Sequence, residues 1–135
     1  MAGFGFQEMA LEQRRVVRHN PPELWFDGAC AEDVRLQLVR ATVRLGRRDV
    51  HHPKGYIAGE RCRVRCRNGD VDALECWVRI RRLQYLRFVG LQEHDLAVCS
   101  SLEQSRAGLQ RFLEHCYQQT IADDTQLTIV EFVYE

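Results

Sequence analysis

Hydrophobic and polar residues alternate strictly along residues 61–67, where arginine occupies every second position. Since successive side chains of a strand point to opposite faces, this pattern predicts a half-exposed strand with its arginines outward. Asn68-Gly69-Asp70 has the composition of a hairpin turn. Residues 74–80 alternate again and predict the returning strand, with a bulge near Arg81-Arg82. The middle of the chain is therefore expected to be antiparallel sheet.

Further elements flank this hairpin. The pattern predicts strands over 24–26, 40–45 and 127–134, a helix over 30–39 that begins after Asp27, and a helix over 101–116. Ser100 with Glu103 three residues later has the spacing of a capping box, which predicts the start of the second helix. The order of strand, helix, antiparallel strands, helix and strand predicts a small α+β barrel rather than a parallel sheet.

The chain has 135 residues, of which 45% are hydrophobic and 28% charged, so one ordered domain is expected. We assign residues 23–135 to this domain and residues 1–22 to an N-terminal extension, in which 9–17 predict a short helix that Asn20-Pro21-Pro22 ends. No run of 18 apolar residues and no basic, apolar leader is present, which excludes membrane insertion and favours a cytoplasmic location.

The six cysteines are scattered and include no Cys-x2-Cys pair, so neither a metal site nor a cofactor is predicted. Cys62 and Cys66 share the inward face of the strand over 61–67, where buried thiols behave as small hydrophobic side chains. An even number of cysteines in a chain without a secretory leader fits reduced, intracellular thiols.

Charge is distributed unevenly although the formal net charge is zero. Residues 35–87 contain fourteen basic and five acidic side chains, while both flanking segments are acidic. Thirteen of the fourteen are arginines, whose planar guanidinium suits phosphates and base stacking. This asymmetry predicts an anionic partner such as nucleic acid. The alternative is a set of solvated arginines paired with the acidic segments.

The chain resembles the ASCH domain, a β-barrel of the PUA-like superfamily, over roughly residues 24–134. The resemblance is carried by Thr42-x-Arg44, by Gly59-Glu60 before a strand, by Leu91-Gln92-Glu93 and by Ile129-Val130-Glu131-Phe132. It implies a mixed or antiparallel PUA-like β-barrel flanked by helices.

The best understood enzymes of this type are small amidohydrolases that deacetylate N4-acetylcytidine with a Lys, a Thr and a Glu. Thr42 matches the family threonine, so the resemblance implies that its hydroxyl is the catalytic nucleophile. Val39 stands where the family has its lysine, and residues 96–99, where its glutamate is expected, contain no carboxylate. Whether the chain is an enzyme therefore stays open.

Two clusters of polar residues are candidates for ligand binding. Arg40, Thr42 and Arg44 alternate along one strand face, which borders the ligand cleft in the family. The following loop is rich in basic groups that suit phosphate contacts. The predicted nucleic-acid-binding residues are Arg40, Thr42, Arg44, Arg47, Arg48, His52, Lys54 and Glu60. Glu60 is also a candidate for fixing a turn.

The row of arginines along residues 61–67 has two interpretations. Arg61, Arg63, Arg65 and Arg67 form either a phosphate track or a solvated face paired with Asp72 and Glu75.

Four functions follow from these observations. The first is binding of RNA, a nucleotide or a nucleoside in an arginine-rich cleft. The second is hydrolysis of a modified nucleoside or of RNA. The third is binding of a cyclic dinucleotide, because Arg14-Arg15-x-x-Arg18 resembles the PilZ motif, although the Asp-x-Ser-x-x-Gly of that family is missing. The fourth is docking of a protein partner on the helix over 101–116. Oligomeric state is left open.

Overall fold

Five strands form a single curled sheet in the computed structural model, which describes residues 21–135. The strands are β1 (Glu23–Asp27), β2 (Ala41–Leu45), β3 (Arg61–Asn68), β4 (Val71–Arg87) and β5 (Gln126–Tyr134). Their order is β1-β3-β4-β5-β2, with β1 parallel to β3 and the other neighbours antiparallel. The result is a half-barrel whose two outer strands are β1 and β2.

The central hairpin agrees with the prediction. The side chains of Cys62, Val64 and Cys66 are fully buried, so the alternation does separate an inner from an outer face. Gly69 has φ = 62°, which a two-residue hairpin turn requires. The predicted bulge lies between Ile80 and Arg82. β4 is 17 residues long and continues beyond the bulge to Arg87, so its first part pairs with β3 and its second part with β5.

The first helix is shorter than predicted. A 3-10 turn over Gly28–Cys30 leads into α1 (Ala31–Arg35), and the Asp27 side chain accepts a hydrogen bond from the Ala29 amide at 2.8 Å. Gln37 has φ = 60° and ends the helix. The prediction of a helix over 30–39 was wrong in length because α1 has little core to cover, and Leu38 is 58% exposed.

The second helix starts later than predicted. It is α2 (Arg106–Tyr117), and its N-cap is Ser105, whose hydroxyl accepts from the Gly108 amide at 3.0 Å. The capping box at Ser100 and Glu103 was therefore wrong. Ser100 precedes and Glu103 ends a separate 3-10 turn, Ser101–Glu103, which follows two others at Phe88–Gly90 and Glu93–Leu96.

Two groups of buried side chains make up the core. The first lies inside the curled sheet beneath α1 and contains Leu24, Phe26, Val34, Cys62, Val64, Val78, Ile80 and Phe132. The second lies between the sheet and α2 and contains Ala41, Val43, Leu96, Leu109, Leu113, Leu127 and Ile129. β5 thus contributes to both groups, with Val130 and Phe132 in the first and Leu127 and Ile129 in the second, whereas β2 contributes to the second alone.

Three further findings concern the described part of the chain. No helix in it is long and apolar enough to cross a membrane. Its six cysteines are all free thiols, of which Cys116 is exposed. The predicted helix over 9–17 and the Arg14-Arg15-x-x-Arg18 motif lie outside the described residues.

Candidate functional site

A buried carboxylate lies at the open edge of β2. Glu103 is 2% exposed, and one of its oxygens accepts a hydrogen bond from the Val43 amide at 2.8 Å. The Thr42 hydroxyl lies 3.0 and 3.2 Å from the two carboxylate oxygens, and the Ser100 hydroxyl donates to the second oxygen at 2.8 Å. An ionised carboxylate only accepts hydrogen bonds, so three donors suit it. Glu103 thereby takes the place of a neighbouring strand at this edge.

Arg44 connects the two outer strands of the sheet. Its Nη1 donates to the carbonyl oxygen of Trp25 on β1 at 2.8 Å, and its guanidinium carbon lies 5.0 Å from the centre of the Phe26 ring. The Nε atom of Arg44 is buried and has no hydrogen-bond partner among the described residues. Buried donors are rarely left unpaired, so Arg44 carries one donor that no described residue satisfies.

Two other buried arginine Nε atoms lack a hydrogen bond but differ from that of Arg44. The Nε of Arg63 lies 3.2 Å from Glu75, and that of Arg67 lies 3.1 Å from Asp72. Each is therefore compensated by a carboxylate. No such ion pair is found for Arg44 within residues 21–135.

A cavity of about 230 Å³ opens beside Arg44. Its walls are Pro22, Glu23, Trp25, Arg44, Arg48, Pro53, Lys54, Gly55, Tyr56 and Tyr117. Three aromatic rings and two prolines make the lining mainly apolar, while the arginines and Lys54 provide positive charge. An apolar recess with a few convergent polar groups is the usual form of a small-molecule site.

Arg48 and the loop after β2 shape this cavity. The Arg48 side chain is buried, donates from Nε to the Leu45 carbonyl at 2.6 Å, and donates from Nη2 to the Tyr117 hydroxyl at 3.1 Å. The loop turns so tightly that a Cβ at Gly55 would lie 1.7 Å from the carbonyl oxygen of Asp49. Only glycine fits there without moving the loop.

A second cavity of about 460 Å³ lies on the other side of Arg44 and shares Trp25, Arg44 and Tyr117 with the first. Its remaining lining includes Thr42, Ser100, Glu103, Arg67, Phe112, His115 and Cys116. We call the two cavities together the cleft. The cleft occupies the gap between β1 and β2, where the half-barrel is open.

Burial shifts the protonation of groups around the smaller cavity. It raises the pKa of the Tyr56 phenol, whose hydroxyl donates to the Glu23 carbonyl at 2.9 Å. Burial, with the nearby Arg48 charge, lowers the pKa of His52. The Nδ1 atom of His52 accepts from the Lys54 amide at 2.9 Å, which fits a neutral imidazole. His52 therefore shapes the loop by accepting a hydrogen bond.

The cleft brings together four of the eight candidate binding residues, namely Thr42, Arg44, Arg48 and Lys54. The other four are placed outside both linings. Arg40 is exposed, and Arg47 pairs with Asp49 at 2.9 Å and stacks on Tyr85. His52 is part of the loop and accepts from the Lys54 amide, and Glu60 accepts from the Ile57 amide at 2.7 Å, the turn-fixing role considered for it.

Four residues of the cleft are not among the predicted binding residues. Trp25, Tyr56 and Tyr117 come from three distant segments, and their convergence has no local signal. Glu103 does have a local signal, because it lies three residues after Ser100. The same Ser-x-x-Glu spacing is typical of a helix cap, which is how it was interpreted.

The arginine row on β3 is paired with carboxylates. Arg63 faces Glu75, and Arg65 lies 3.0 Å from Asp72. Arg61 contacts Glu135 at 2.6 Å. These ion pairs agree with the interpretation of a solvated, paired face, since each carboxylate competes with a phosphate for the same guanidinium.

Comparison with known proteins supports the fold. An ASCH domain from Lactobacillus crispatus JV V101 superposes with a TM-score of 0.56 at 18% sequence identity, covering 78% of this chain and 70% of that chain. A protein from Enterococcus faecalis V583, described under the family-model DUF984, gives a TM-score of 0.55 at 18% identity, covering 84% and 76%. No protein-family model and no curated protein sequence matches the chain.

The chain therefore has the fold of an ASCH domain, as the sequence resemblance implied. At 18% identity this similarity concerns the fold alone, and function has to be argued from the cleft.

Proposed function

We propose that the protein binds RNA or a nucleotide in the cleft between β1 and β2. The observation that carries this proposal is the unpaired, buried Nε of Arg44, which lies between two cavities walled by aromatic rings. A ligand with both a flat ring and an acceptor for a guanidinium satisfies both features. Nucleotides and RNA have that chemistry.

The electrostatics of the smaller cavity support an anionic ligand. Arg44 and Arg48 lie in its wall and Lys54 is exposed, and these three cations outnumber the acidic Glu23 in the same lining. Arg48 is already committed to protein acceptors, so we assign ligand contacts to Arg44 and phosphate contacts to Lys54. Contacts of this kind add salt-dependent affinity.

The chain contains a well-matched control for Arg44. Arg106 also donates one hydrogen bond to a backbone carbonyl, that of Phe88 at 3.3 Å, and also stacks on a phenyl ring, at 4.9 Å. It lines neither cavity. Replacing it removes the same kinds of contact without touching the cleft.

The test is fluorescence anisotropy of a labelled single-stranded RNA at several salt concentrations. We expect Arg44→Ala to weaken binding by about tenfold or more, because a hydrogen bond to a charged group contributes roughly 1.5–3 kcal/mol. Arg106→Ala should bind as the native protein does. Equal losses in the two variants, or a native affinity too weak to measure at low salt, would contradict the proposal.

A hydrolase is the second candidate, because Thr42 has a carboxylate partner in Glu103. A carboxylate beside a hydroxyl can act as its general base. Val39, at the position of the family lysine, is buried in the core, so this reaction would proceed without that lysine. We expect any hydrolysis of N4-acetylcytidine, measured by chromatography of the product, to be lost in Thr42→Val. Turnover that persists in this variant would remove Thr42 from the mechanism.

The anisotropy assay also tests the binding of a cyclic dinucleotide. Displacement of the RNA by a cyclic dinucleotide would favour the PilZ-like alternative. A protein partner on the second helix has less support from charge, since Glu103 is buried and α2 itself carries Arg106, Arg111 and Glu114. A cytoplasmic location, which composition favours, fits each of these ligands.

A further inference from the structure

Trp25 is the most exposed aromatic side chain of the cleft. It is 49% exposed, although it belongs to a strand and lines both cavities. Tryptophan, which combines a large apolar ring with a polar N–H, is enriched at binding interfaces. The question is what this indole contacts.

The indole is held in place by its neighbours. Its Nε1 donates to the Glu23 carboxylate at 3.1 Å. The guanidinium carbons of Arg65 and Arg67 lie 5.3 and 4.6 Å from the ring centre, and Asp72 pairs with both arginines. The ring is therefore oriented before any ligand arrives, which reduces the entropy lost on binding.

Trp25 also borders the cleft. It is paired with Arg65 in the register of β1 and β3, so these two side chains lie on the same face of the sheet. Because β1 is an outer strand of the half-barrel, Trp25 lines both cavities at this edge. Arg67 lines the larger cavity beside it.

The size of the smaller cavity limits what it can hold. Its volume of about 230 Å³ equals that of roughly eight liquid water molecules, at ~30 Å³ each. This is room for one heterocyclic ring system with little to spare. The next nucleotide of a longer ligand therefore lies outside this cavity, and Trp25 is one of the three residues that line both this cavity and the larger one beside it.

We propose that the ligand is a single-stranded oligonucleotide and that Trp25 stacks the base adjacent to the one held beside Arg44. This inference rests on the proposed function and narrows it from any nucleotide to a strand of at least two. Base stacking on an aromatic side chain is tolerant of sequence. Trp25 therefore selects for length rather than for base identity.

Trp77 is the matched control. Its ring lies 4.0 and 5.4 Å from the guanidinium carbons of Arg61 and Arg63, so it is packed by arginines as Trp25 is. It lies on β4 and lines neither cavity of the cleft.

The test compares UMP and AMP with pentauridylate and pentaadenylate on the full chain. We expect the native protein to bind each pentamer about tenfold or more tighter than its mononucleotide. Trp25→Ala should reduce this ratio to about one, and Trp77→Ala should retain it. If Trp25→Ala keeps the ratio, the inference is overturned while the proposed function stands. If the native protein binds neither class of probe, the proposed function itself fails.

A second measurement does not depend on the stability of Trp25→Ala. The chain has two tryptophans, so Trp77→Phe leaves Trp25 as the sole indole reporter. Pentamers should quench its fluorescence at saturation more strongly than mononucleotides do. Equal quenching by both probes, or quenching by neither, would overturn the stacking role.

Discussion

At the residue scale, Glu103 decides how β2 is held. The outer edge of a sheet normally presents unpaired amides to solvent. Here a single side chain accepts from the Val43 amide and from two hydroxyls. The outer edge of the strand that carries Thr42 and Arg44, whose other edge pairs with β5, is thereby fixed without a second neighbouring strand, which leaves space for the cleft.

Removing this carboxylate should destabilise the protein strongly. Glu103→Ala leaves three buried donors without their acceptor, and each unsatisfied group costs roughly 1–3 kcal/mol. We expect the free energy of unfolding to fall by about 3 kcal/mol or more, measured by urea denaturation. Glu103→Gln, which keeps one oxygen acceptor, should lose less.

Glu93, which is exposed, supplies the control for this measurement. Glu93→Ala should change the free energy of unfolding by no more than about 0.5 kcal/mol. A loss below about 1 kcal/mol in Glu103→Ala would mean that water replaces the carboxylate at the edge of β2.

At the element scale, the sequence predicted what depends on local pattern. The β3–β4 hairpin, its turn and its bulge all follow from alternation and from Gly69. β5 was also predicted, within one residue of its start. The ends of these strands depend on the alternation and the turn residues of their own segments, so they can be predicted from one sequence.

The helices were predicted less well because their ends depend on tertiary packing. α1 stops where the core beneath it ends, and an apolar residue such as Leu38 continues the helical pattern without being buried. The Ser-x-x-Glu spacing before α2 was assigned to a cap, whereas packing directs Glu103 to β2. The cleft was foreseen only on its β2 side, because its aromatic wall comes from three separate segments.

At the scale of the whole molecule, the structure divides the arginines into two sets. Those on β3 are neutralised by Glu23, Asp72, Glu75 and Glu135. Arg44 faces the opening between the outer strands and has no such partner among the described residues. Net charge along the sequence overstated the basic surface, since pairing across strands cannot be read from composition. We therefore expect the functional part of the arginine excess to be confined to the cleft.

The most direct test of this account is a ¹H–¹⁵N NMR titration of the full chain with a pentanucleotide RNA. The indole Nε1 of Trp25 and the Nε of Arg44 should shift on binding, together with backbone amides of the loop around Gly55. The indole Nε1 of Trp77, on the paired arginine face, should stay unchanged. Shifts centred on Trp77 and β3, with Arg44 unaffected, would contradict the cleft as the binding site.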